Sequence, residues 1–112
     1  MMPGKSTANN YKNTAIAAHT ATGAETTTTA VTASFPGNST AIPRRLRVSG
    51  SVSGFVELQV SQNQYISLPA NPNAPFTEIM IPPSAFSGPV TGVSILFQCD
   101  AAGTIRAFVD GI

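Results

Sequence analysis

The 112-residue chain has no tryptophan, one histidine, one cysteine and little charge: 10% of its residues are Asp, Glu, Lys or Arg. Each shortage excludes something. A single thiol, Cys99, builds neither an internal disulfide framework nor a cysteine-rich metal cluster. A net charge of +1 gives no general attraction to nucleic acid or to an anionic membrane, so neither is expected as a partner. No run of about 18 apolar residues is present to make a membrane helix. The opening Met1-Met2-Pro3-Gly4-Lys5-Ser6 leads into polar residues instead of an apolar core, which predicts synthesis without export. Two tyrosines, Tyr11 and Tyr65, make no broad stacking platform for a sugar.

Catalytic groupings are equally scarce. A Ser–His–acid triad would have to use His19, which sits in a Thr/Ala-rich stretch. Cys99 ends an apolar run and reads as a small buried hydrophobe. Of the acids Glu25, Glu57, Glu78, Asp100 and Asp110, Glu57 and Glu78 fall on outward strand faces and Asp100 in a turn, and no pair stands out as a catalytic one. No Asp-rich calcium loop and no Gly-rich phosphate loop ahead of a helix occurs. No enzyme activity, cofactor or metal is expected.

What is present divides in two. Residues 1–40 hold ten of the thirteen threonines, eight alanines and few large apolar side chains. Such a segment buries too little apolar area to offset its ordering entropy alone. It reads as an extended arm, residues 1–34, that ends in a strand over Glu25–Phe35. Within that strand Val31, Ala33 and Phe35 share one face. Thr14–His19 has the makings of a short helix without a cap.

Residues 35–112 alternate with period two. Leu46, Val48 and Val52 oppose Arg45, Arg47, Ser49 and Ser51; Val56, Leu58 and Val60 oppose Glu57, Gln59 and Ser61. A short strand follows at Tyr65–Leu68 and another at Phe76–Ile81, with a proline-rich loop between them. Ser84-Ala85-Phe86 reads as a single helical turn. Val93, Ile95, Phe97 and Cys99 face one way, and Asp100–Gly103 turns the chain into Thr104–Val109, with Gly103 placed to take positive φ. Seven or so short strands with Gly/Pro-rich turns predict an all-β fold, an antiparallel β-sandwich or jelly-roll-like domain.

Half of the six basic residues fall in Arg44-Arg45-Leu46-Arg47. They read either as charges protecting a sheet edge or as contacts to an acidic protein surface or phosphate. A low-charge surface is also the easier one to bury against a neighbour.

With its arm around Thr26–Phe35, its strand pattern Leu46–Val60 and its terminal hairpin Val93–Val109, the chain resembles small virion proteins of tailed bacteriophages, the capsid decoration or cement class. The resemblance is architectural and covers the whole chain. It implies a non-enzymatic component of the virion surface, homo-oligomeric with a trimer favoured, whose partner is the major capsid protein or another virion protein. The expected partner-binding residues are Thr26, Thr28, Val31 and Phe35 of the arm, and Arg44, Arg45 and Arg47. The alternative is a carbohydrate-binding β-sandwich module using Tyr65, Asn71 and Asn73.

Overall fold

The computed structural model describes residues 10–112. These form eight strands: β1 (Asn13–Ala21), β2 (Thr29–Ser34), β3 (Pro43–Gly50), β4 (Gly54–Ser61), β5 (Gln64–Ala70), β6 (Thr77–Met80), β7 (Gly92–Cys99) and β8 (Gly103–Gly111). Two four-stranded antiparallel sheets, ordered β1-β8-β3-β6 and β2-β7-β4-β5, pack face to face. The all-β sandwich expected from the alternation is what the chain adopts.

The pairing has a simple rule. The chain doubles back at the two-residue turn Gln62-Asn63, which pairs β4 with β5. Going outwards from that turn, β3 pairs with β6, β2 with β7 and β1 with β8. The resulting long ribbon then bends over itself, bringing β8 beside β3 and β7 beside β4. Inward residues meet between the sheets: Leu46 and Val48, Val56 and Leu58, Ile95 and Phe97, and Ile105 and Val109 are all 1% exposed or less.

The expected division into an arm, 1–34, and a separate body, 35–112, is not found. Residues 1–9 lie outside the described residues, but β1 runs the full length of β8 and β2 pairs with β7 from Thr29 to Ser34. Residues 13–34 are thus ordered within the chain's own sheets. Its low apolar content suffices because it sits at the flank of the sandwich. There Ala15, Ala17, Ala21 and Ala33 fill the narrow space and the neighbouring strands supply the bulk. β1 is also a correction to the helix expected at Thr14–His19. Alanine on both faces blurs the alternation, and pairing with β8 overrides helix propensity. Ser84-Ala85-Phe86 is a turn closed by the Ala85 N–H on the Pro82 carbonyl, not a helical turn.

Glycines at the β-turns are there for space. Gly103 does not take positive φ; a Cβ on it would press into Ser51 Oγ and Val52. The Gly54 position is tighter still, since a Cβ there would collide with the Gln98 carbonyl of the paired strand. Backbone held by a ladder on both sides cannot retreat. Gly54→Ala is expected to cost about 2–3 kcal/mol in urea denaturation, as overpacking of a rigid site does. Gly88→Ala, with open space around it, should stay within about 0.5 kcal/mol of the parent. No helix among the described residues is long and apolar enough to cross a membrane.

Candidate functional site

The two outer faces of the sandwich differ. On the β2-β7-β4-β5 sheet the outward positions are mostly small or polar, among them Thr32, Ser34, Ser94, Gln98, Glu57, Gln59 and Ser67, with Phe55, Leu96 and Tyr65 as the large exceptions. On the other sheet the strand register sets out two rows. Thr14, Asp110, Arg45 and Met80 lie across β1-β8-β3-β6 in one, and Ile16, Phe108, Arg47 and Glu78 in the next.

Asp110 organises this face. It is 2% exposed and accepts hydrogen bonds from Thr14 Oγ1 at 2.7 Å, Arg45 Nε at 2.8 Å, and Arg47 Nε and Nη2 at 2.8 and 3.0 Å. Burial pushes the Asp110 carboxyl up, but the donors on Arg47, Thr14 and Arg45 outweigh it and hold the group below the ordinary aspartate range. A carboxylate saturated in this way fixes both guanidinium groups. Their faces are then covered by rings. Arg45 lies over Tyr11 at 4.4 Å, and Arg47 lies 5.2 Å from the Phe76 ring and 5.0 Å from that of Phe108. Phe76 and Phe108 meet edge to face at 5.5 Å.

Around this centre the face exposes large apolar groups. Ile16 and Met80 are each 56% exposed, and Phe76 is 44% exposed. No concave pocket opens among the described residues, and the hydrogen bonds to Asp110 give the face a pre-ordered centre. Its residue types, Arg, Tyr, Phe and Met, are those enriched at the centres of protein–protein interfaces.

The expected partner-binding residues fall into three groups. Arg45 and Arg47 are brought together on this face, whereas Arg44 turns away at a β-bulge and donates to the Pro43 carbonyl. Thr26 and Thr28 are exposed in the loop between β1 and β2, and are not joined to the arginines. Val31 packs half-buried against the core, and Phe35 is 3% exposed within it, so Phe35 is a core residue and not a contact for a partner. Edge protection does not account for the arginines either, because β3 lies between β8 and β6.

Sequence reading missed Tyr11, Ile16, Phe76, Met80, Phe108 and above all Asp110. One signal was available: aspartate is depleted in strand interiors, and Asp110 stands between Val109 and Gly111 in the last strand. Which cations it meets depended on register.

No family model, curated protein or solved structure matches this chain. The face therefore has to be interpreted on its own chemistry.

Proposed function

We propose that the protein is a non-enzymatic structural component of a virion, a capsid decoration protein, that docks on the assembled head shell through the outer face of the β1-β8-β3-β6 sheet. The observation that carries this reading is the exposed group Ile16, Phe76 and Met80 around arginines already locked by Asp110. Large apolar groups gathered on one face mark an interaction surface. Pre-ordering the arginines lowers the side-chain entropy lost on binding. The strand order supports the virion setting: an eight-stranded ribbon wound into sheets 1-8-3-6 and 2-7-4-5 reads as a jelly roll, an architecture used by viral capsid domains. Clamping by a detached N-terminal arm is not part of the proposal, since β1 and β2 are built into the sheets.

The same architecture serves lectins. The residues considered for sugar binding do not converge, however. Tyr65 is the second residue of β5 while Asn71 and Asn73 follow its far end, about 20 Å along an extended strand. The Asn71 side chain is also occupied by the Asn73 N–H at 2.9 Å.

The test is co-sedimentation with head shells of the particle that encodes the chain. Binding is expected to assembled shells and not to free shell subunits. Ile16→Thr combined with Met80→Ser, two side chains more than half exposed, should weaken it by about 30-fold or more while leaving the melting temperature nearly unchanged. Equal binding to shells and free subunits, or unchanged binding by the double variant, overturns the reading.

A further inference from the structure

A second cluster of functional side chains lies at the flank of the sandwich, away from the arginine face. His19 occupies an inward position of β1, in the series Ala15, Ala17, His19, Ala21, where an apolar residue would serve packing alone. Its ring lies 5.9 Å from that of Phe97. Two residues beyond Phe97 on the same inward face is Cys99, which is fully buried. Glu25 reaches in from the loop between β1 and β2. It is held in place by its backbone: its N–H donates to the Cys99 carbonyl at 2.9 Å, and its own carbonyl accepts from Gln98 Nε2 at 3.1 Å. Its carboxylate takes the Cys99 N–H at 2.9 Å and meets His19 Nε2 at 2.9 and 3.1 Å. Cys99 Sγ has one weak partner, the Gly103 carbonyl at 3.9 Å.

We propose that His19 Nε2, the Glu25 carboxylate and Cys99 Sγ form a binding site for a single divalent transition-metal ion, with zinc the best-matched. The three donor atoms lie within 4.8 Å of one another. A tetrahedral ion with bonds of about 2.0–2.3 Å needs its donors about 3.3–3.8 Å apart, so small side-chain rotations close the site. The three donors come from separate segments, and a sheet ladder or backbone bonds fix each of them. Thiolate, imidazole and carboxylate together suit zinc and disfavour calcium and magnesium, which take oxygen alone. Three protein donors leave a fourth position. The side chains of His19 and Glu25 are 14% and 22% exposed, which gives water a route to it.

On binding, His19 would ligate through the Nε2 lone pair with its ring proton on Nδ1, Glu25 would ligate as the carboxylate, and the Cys99 thiol would give its proton to solvent as the sulfur–metal bond forms. The consequence is structural. The ion would tie the β1–β2 loop, the crossing between the two sheets, to the end of β7, independently of any docking partner.

The experiment uses the full chain, reduced and stripped of metal with a chelator, titrated with Co(II) alone. One equivalent per chain should produce the near-ultraviolet charge-transfer absorption of a cobalt–thiolate bond and the visible bands of a tetrahedral ion. Zn(II) should bleach both. Cys99→Ser should abolish the charge-transfer band. His19→Gln and Glu25→Gln, each checked for folding by circular dichroism, should each lower affinity by more than about tenfold. Absence of a thiolate band from the folded, reduced parent chain at a large excess of Co(II) overturns the proposal. So does a band whose affinity is unchanged in both glutamine variants.

Discussion

A chain cut back to residues 35–112 is expected to be unfolded. The deletion removes β1 and β2, one flanking strand from each sheet. β8 then loses the partner it pairs with from Gly103 to Gly111, and β7 loses its pairing from Gly92 to Phe97. Their freed N–H and C=O groups return to water, but Val93, Ile95, Phe97, Ile105, Ala107 and Val109 lose the cover of Ala15, Ala17, Ala21 and Ala33. A domain of this size holds a margin of about 5–15 kcal/mol, and a quarter of its strands exceeds that. Far-ultraviolet circular dichroism and a thermal scan check it. A cooperative melt by the truncated chain would show that the first third is dispensable after all.

Replacing Asp110 should be the most damaging single exchange on the outer face. Asp110→Asn puts an amide where four donated hydrogen bonds converge, so at least one N–H faces a guanidinium and two positive charges lose their counter-ion. Breaking a buried pair by removing one partner costs about 3–5 kcal/mol. Arg45 and Arg47 keep some contact with water, at 24% and 23% exposure, so about 3 kcal/mol is expected. The pH dependence follows from the direction of the shift. The folded-state carboxyl lies below its ordinary value of 3.8, so its contribution is complete well above that value. It fades as pH falls below about 4 and is lost once the folded value is passed. Urea titrations of parent and variant at pH 7 and near pH 3 should therefore show the gap between them narrowing in acid. A gap that stays constant would mean that the aspartate acts by packing and not by charge. The same variant should also weaken shell binding, because loosened guanidinium groups carry an entropy cost to the interface.

The extent to which this was readable beforehand varies by strand. β3, β4, β7 and β8 were legible face by face because branched or large apolar residues alternate there with polar ones. The inward set Val31, Ala33 and Phe35 of β2 and its continuation was legible for the same reason. β1 was not, because alanine carries little contrast between faces and favours helices when nothing pairs with it. Of the candidate face, the shared outward direction of Arg45 and Arg47 could be read from their spacing of two. Phe35 was misassigned because a buried aromatic and a docking aromatic look alike in a sequence.

Local patterning was enough to settle that residues 41–112 are built from strands, where most of those begin and which way their side chains point, since period-two alternation is a property of neighbouring residues. It could not settle which strand lies beside which. Pairs such as Thr14 with Asp110, Arg45 with Asp110, and His19 with Glu25 and Cys99 join positions from β1, the loop after it, β3, β7 and β8. Their proximity comes from winding the ribbon over itself, and winding is a long-range choice that maximises burial between the sheets. For that reason residues 13–34 belong to the body of the sandwich, and both the proposed docking face and the proposed metal site came into view only with the sheets assembled.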